Sequence, residues 1–208
     1  MKRILILGAS GTFGKALVEK LGNEKECHLT LASRHVSACY HESERCHVVD
    51  CDAMKADDLQ QAMKGCHVVY CAISGDNLPI IVENTVSAMR KAGLRRLIFM
   101  GAVGIYDEIP ADMDDEDNVK NNPDQTPNRK AADIVENSNL DYTVLRPGYL
   151  RDGDKDDYTL TFKGEQAKGY VSTIPSVVGL AVRLIHDDTL YVRQSVSITR
   201  DMSDTEKL

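Results

Sequence analysis

Short apolar runs alternate along the chain with longer stretches in which apolar and polar residues mix. The first run is Arg3-Ile4-Leu5-Ile6-Leu7. After a glycine-rich turn comes Lys15-Ala16-Leu17-Val18-Glu19-Lys20-Leu21, which reads as a helix. The same patterning predicts strands over residues 28–33, 46–49, 67–71, 95–100, 142–145 and 195–198. Helices are predicted over residues 56–64, 79–92, 127–138 and 175–186. Asp57 and Asp58 enrich the first turn of one helix, as its dipole prefers. Pro79 stands near the start of the next and Gly93 just beyond its end. Strand and helix alternating at this spacing predict an α/β fold, a doubly wound parallel sheet with helices on both faces.

Two stretches break the alternation. Residues 106–124 are long, acidic and poor in apolar side chains, with Asp112, Asp114, Asp115, Glu116 and Asp117 close together. They lack the Asn/Gly pattern of a calcium loop and read as a solvated, mobile lid. Residues 151–168 are charged around one apolar patch at 158–162. They follow the sixth predicted strand, where such folds place insertions that cover substrate.

The turn Gly8-Ala9-Ser10-Gly11-Thr12-Phe13-Gly14 sits between a predicted strand and a predicted helix. That context makes the glycines informative. Gly8 permits a tight turn, Gly11 lets the backbone approach a pyrophosphate, and Gly14 lets the helix pack closely on the sheet. The amides of Thr12 and Phe13 are placed to face phosphates, and Ser10 lies in the same turn. The fold class is therefore a Rossmann-type sheet, and the ligand a nicotinamide dinucleotide.

Charge at the end of the second strand bears on which dinucleotide. An NAD site places a carboxylate there for the ribose 2′-hydroxyl. The sequence instead reads Leu31-Ala32-Ser33-Arg34-His35. Arg34 offers a cation and a fork of donors, and Ser33 a hydroxyl, which suit a 2′-phosphate. NADP(H) is expected over NAD(H).

The 208 residues fit one domain, with a small C-terminal substrate lobe built from about residues 149–208. Net charge is −7 and tryptophan is absent, which disfavours a nucleic-acid partner. No apolar run reaches membrane-spanning length, and Met1 leads almost directly into the first strand, so a cytoplasmic protein is expected. The six cysteines, Cys27, Cys39, Cys46, Cys51, Cys66 and Cys71, form no C-x-x-C pair and read as free thiols. Cys46, His47 and Cys51 do not match the spacing of a zinc module, and no metal site is expected.

Beyond the glycine turn, three segments carry a resemblance. They are Val49-Asp50-Cys51-Asp52, Val69-Tyr70-Cys71-Ala72, and Asp141-Tyr142-Thr143-Val144-Leu145-Arg146-Pro147-Gly148. With them the chain, from residue 1 to about 200, resembles an atypical short-chain dehydrogenase/reductase of the NmrA-like and biliverdin-reductase-B-like kind. The resemblance implies that Asp52 bonds the adenine amino group with the Ala53 amide nearby. It implies that Ala72, Ile73 and Ser74 lie along the nicotinamide-side ribose, and that Pro147 and Gly148 sit by the carboxamide.

The chain departs from the wider superfamily where that superfamily uses a Ser and a Tyr-x-x-x-Lys. Gly101 and Ala102 stand at the serine positions. Lys130 stands at the lysine position, but Thr126 replaces the tyrosine. Lys130 then binds the cofactor ribose or is simply solvated. Without the tyrosine acid, hydride transfer to an acceptor that takes its proton from water remains feasible. The resemblance implies flavins or quinones as such small-molecule acceptors. Tyr106 and Tyr149 are candidates to line the pocket, and either could stack on a planar acceptor or donate a proton. The alternative is an NADP(H)-binding redox sensor without turnover. Monomer and homodimer are both compatible with the sequence.

Overall fold

The computed structural model describes residues 1–113, 115–154 and 156–200. Asp114 of the acidic stretch and residues 201–208 of the expected lobe lie outside the described residues.

The chain runs β1 (Lys2–Leu7), α1 (Thr12–Gly22), β2 (Cys27–Ser33), β3 (Cys46–Asp50), α2 (Ala56–Ala62), β4 (Val68–Cys71), α3 (Leu78–Ala92), β5 (Arg96–Met100), α4 (Thr126–Glu136), β6 (Asp141–Pro147), β7 (Tyr149–Leu150), β8 (Thr159–Phe162), β9 (Val171–Ser172), α5 (Ile174–His186) and β10 (Gln194–Thr199). The main sheet has the order β3-β2-β1-β4-β5-β6-β10-β8, and β7 pairs with β9 in a second, two-stranded sheet. All pairs of the main sheet are parallel except β10 with β8. The strand order reverses between β1 and β4. In such sheets that reversal opens a crevice at the carboxyl ends of the strands.

Period-two alternation sorts the core into two layers. Ile4 and Ile6 of β1, Tyr70 of β4 and Ile98 of β5 pack with Leu17 and Leu21 of α1 and with Leu180 and Leu184 of α5. Their neighbours Leu5, Leu7, Val69, Cys71, Leu97 and Phe99 pack on the other face against α2, α3 and α4. Strands buried on both faces read as continuous apolar runs, which is why β1, β4 and β5 were legible. α3 carries Pro79 within its first two positions and ends at Gly93, whose φ of +71° is the left-handed stop expected there.

Two expectations change. The apolar patch at 158–162 becomes β8, an antiparallel edge strand of the main sheet paired to β10. The acidic stretch is not a free lid. Asn118 is fully buried; its amide donates to the Ile109 carbonyl (2.8 Å) and its side-chain oxygen accepts from the Ile109 N–H (3.0 Å). The Val119 amide bonds back to the Gly104 carbonyl (2.9 Å), and the Tyr170 hydroxyl donates to Asp117 (2.5 Å). Asp112 and Glu116 are exposed, but Glu108 is buried, the backbone is tied down, and three short 3₁₀ turns replace loose coil. Among the described residues, no helix is long and apolar enough to cross a membrane.

Candidate functional site

A cavity of about 350 Å³ lies at the carboxyl ends of β1, β2, β3 and β4. Its floor is the turn between β1 and α1. Gly8 has φ +86° and passes so close to β4 that an added Cβ would lie 2.7 Å from the Ala72 carbonyl oxygen. Gly14 faces the same constraint from within: a Cβ there would run into the Gly8 carbonyl. The turn is fixed by Gly8 N–H to Ala32 O (2.8 Å) and Gly11 N–H to Gly8 O (2.9 Å). The first bond of the helix is Lys15 N–H to Gly11 O (2.8 Å), so the Thr12, Phe13 and Gly14 amides precede any intrahelical acceptor. No side chain caps this end. A cavity beside uncapped helix amides attracts an anion, and the dipole adds to the effect.

The wall at β2 and β3 is polar. Ser10 Oγ and Ser33 Oγ are 2.8 Å apart. Arg34 is exposed and has neither an ion-pair nor a hydrogen-bond partner among the described residues. The loop behind it is braced by Asp50, which accepts from the Ser37 amide (2.9 Å) and hydroxyl (2.7 Å). Those two bonds hold the Asp50 carboxyl below the usual range. Asp50 is therefore committed to the loop. Asp52 uses Oδ1 to accept from the Met54 amide (3.1 Å) and lines the cavity with Ala53. Asn84 of α3 donates to the Met54 carbonyl (3.1 Å), pinning that turn.

The cavity brings together Gly8, Ser10, Gly11, Ser33, Arg34, Asp52, Ala53, Ala72, Ile73 and Ser74. Thr12, Phe13 and Gly14 stand behind the turn and do not line it. Cys51, Met54, Ile81 and the turn Gly75-Asp76-Asn77 line it and were missed. The last was signalled by its Gly/Asp/Asn composition just ahead of a helix. Burial and the nearby Asp58 and Asp52 push the Cys51 thiol up to about 12, so it lines the cavity as a neutral group.

Five further expected residues lie elsewhere. Lys130 is exposed on α4, and its side chain has no hydrogen-bond partner among the described residues. Pro147 and Gly148 are held by the Val103 amide to the Pro147 carbonyl (2.9 Å) and by the Gly148 amide to Ser172 Oγ (2.8 Å). Tyr106 points away from the cavity: its hydroxyl donates to Glu136 (2.8 Å), and its ring lies beneath the cationic groups of Arg129, Arg146 and Lys163, 4.4 to 5.0 Å from the centroid. Burial holds its phenol well above the usual range. Tyr106 does not line this cavity. Tyr149 also lies off the cavity, 54% exposed on β7 and stacked on Tyr170.

Gly101 ends β5 where a serine is usual in the superfamily. A Cβ there would meet the side chains of Val144 (3.3 Å), Ile105 (3.5 Å) and Arg146 (3.7 Å), a close contact to which Val144 would have to yield by a few tenths of an ångström.

A family profile described as NAD(P)H-binding matches residues 8–188. The chain belongs to that NAD(P)H-binding family. No curated protein matches the sequence. The chain is similar to a Rossmann-fold NAD(P)-binding family protein from Shigella flexneri, with 29% identity, TM-score 0.84 and coverage of 100% of this chain and 98% of that one. It is similar to a wide-type short-chain dehydrogenase/reductase from Veillonella parvula in complex with NADP, with 26% identity, TM-score 0.86 and coverage of 96% and 94%. It shares its fold with ChuY, an anaerobillin reductase from Escherichia coli, at 20% identity, TM-score 0.79 and coverage of 97% and 99%. The fold and the uncapped, glycine-lined turn fit a dinucleotide.

Proposed function

We propose that this chain is an NADP(H)-dependent oxidoreductase that reduces a small acceptor without a tyrosine acid. The observation that carries the cofactor choice is Arg34 beside Ser33 at the end of β2, an unpartnered guanidinium where an NAD site keeps a carboxylate. The Veillonella protein's complex with NADP supports the same choice. The amides of Thr12 and Phe13, at the helix start beside the cavity floor, would face the pyrophosphate, and Asp52 and Ala53 the adenine. Ala72, Ile73 and Ser74 would lie along the second ribose. The bound cofactor would supply a hydride. With Thr126 in place of tyrosine and Lys130 in solvent, the chain contributes proximity and orientation, and the acceptor draws its proton from water. A flavin or quinone meets that requirement; an aldehyde does not. The protein would act in the cytoplasm as a monomer or homodimer.

One observation favours a second reading, a redox sensor that binds NADP(H) without turnover. The cavity ends at β4 and the start of α3, and no residue of β5, β6 or α4 lines it. Cofactor fluorescence and NADPH consumption, followed together with flavins, quinones and simple aldehydes, separate the readings. Consumption with flavin or quinone but not aldehyde supports the reductase. Tight NADPH binding with no consumption supports the sensor. Absence of NADPH binding would sink both.

A further inference from the structure

The end of the molecule opposite the cavity carries a second group of chemistry-bearing side chains. α1 ends at Gly22, the chain turns through Glu24, and β2 begins at Cys27. α5 ends at His186. Because α1 and α5 pack on the same face of the sheet, their carboxyl ends meet beside the start of β2. There Glu24, Cys27 and His186 each offer one donor atom, and the three atoms lie within 4.8 Å of one another. His186 Nε2 is 2.7 Å from Glu24 Oε2, and Cys27 Sγ is 3.5 Å from the same oxygen.

A tetrahedral zinc ion bound at about 2.0–2.3 Å holds its ligands roughly 3.3–3.8 Å apart. The Cys27–Glu24 separation already has that value, and the His186–Glu24 pair needs to open by about half an ångström to reach it. The donor set is one thiol, one imidazole and one carboxylate, the mixture that zinc-type ions prefer over calcium or magnesium. Cys27 is 1% exposed, whereas the Glu24 and His186 side chains are 32% and 45% exposed. The thiol thus forms a fixed base, and the other two close from the solvent side. The local charge is mixed: Glu26 and Lys2 both lie near Cys27, and Lys2 is itself paired with Asp188 at 2.7 Å.

We propose that Glu24, Cys27 and His186 form a zinc-type transition-metal site with three protein ligands and a fourth position open to water. Binding forms one bond to the metal from each donor. It releases the Cys27 thiol proton to solvent, and the His186 Nε2 proton that bonds Glu24 in the metal-free state moves to Nδ1 or to solvent. The ion would clamp the carboxyl end of α5 to the turn between α1 and β2. The proposal is independent of the cofactor reading, since the two sites lie at opposite ends of the strands.

Cobalt(II) added to tag-free protein is the direct probe, because a thiolate–cobalt bond absorbs in the near ultraviolet and a tetrahedral centre absorbs in the visible. One equivalent should produce both features, and zinc should displace them. Cys27→Ser should abolish the near-ultraviolet band, while Cys39→Ser, at an exposed thiol elsewhere, should keep it. His186→Ala removes an exposed ligand without disturbing the core. It should weaken zinc binding by at least the roughly tenfold that even an outer-shell partner contributes. It should also remove the rise in Tm that zinc gives the unaltered protein. Circular dichroism confirms that each variant is folded. No cobalt band at stoichiometric metal, or a band unchanged in both Cys27→Ser and His186→Ala, would overturn the site.

Discussion

Arg34 and Ser33 differ from their neighbours in having little structural work to do. Among the described residues the Ser33 hydroxyl meets only Ser10 across the mouth of the cavity (2.8 Å), and the Arg34 guanidinium meets no partner. Asp50, one strand away, is spent on Ser37. A cation left free at the edge of a cavity is available to a ligand, whereas a carboxylate braced by two donors is not. Arg34→Ala should therefore weaken NADPH binding by about 1.5–3 kcal/mol, on the order of tenfold to a hundredfold. NADH binding should change little. Calorimetric titration of both cofactors checks this, and equal losses for the two would remove the 2′-phosphate assignment.

The strands beyond β5 are built differently from those before it. β10 presents Ser195, Ser197 and Thr199 on one face and Val196 and Ile198 on the other, and all five are buried. Arg146 of β6 is buried on this polar side. It pairs with Glu108 and donates to Ser195 Oγ (3.1 Å). Glu108 lies in the stretch read from its composition as mobile, so the ion pair fastens that stretch to the sheet. A buried pair is costly to break because one partner is left charged without compensation. Glu108→Gln should destabilise the fold by about 3–5 kcal/mol, whereas Glu108→Leu combined with Arg146→Met should recover most of that loss. Urea unfolding of the two variants is the measurement. A loss below about 0.5 kcal/mol for Glu108→Gln would show that the segment is held without the ion pair, by bonds such as those of Asn118 and Val119.

Across the whole molecule, burial sorts the thiols. Cys71 ends a central strand and is pushed up to about 11, Cys27 also to about 11 and Cys51 to about 12, in each case chiefly by desolvation. Cys66 is raised for the same reason, whereas Cys39 is exposed. At a pH of about 8, where an ordinary thiol is partly ionised, iodoacetamide should modify Cys39 first and Cys46 later. Cys27, Cys51, Cys66 and Cys71 should react only when the chain unfolds. Peptide mass mapping over time reads the order. Early modification of Cys71 would mean that the sheet centre opens, contrary to a core packed on both faces.

Much of this architecture is written in short windows of the chain. Buried strands need apolar side chains on both faces, so Ile4-Leu5-Ile6-Leu7 and Val68-Val69-Tyr70-Cys71 announce parallel strands wherever they are met. The glycine turn is equally local, because Gly8 and Gly14 are demanded by backbone approaches a few residues long plus one neighbouring strand. The turn named the cavity floor, the charge at the end of β2 named Ser33 and Arg34, and the family resemblance named the wall from Asp52 to Ser74. Other features depend on where distant segments meet. Arg146 finds Glu108 across 38 residues, and His186 finds Glu24 across 162. Tyr106 turns toward Glu136 and not toward the cavity. Residues 159–162 become an antiparallel edge because β10 is the neighbour left to pair with. A period or a motif reports which side of an element is buried. The partner that buries it depends on the path of the whole chain, and no window of sequence contains that path.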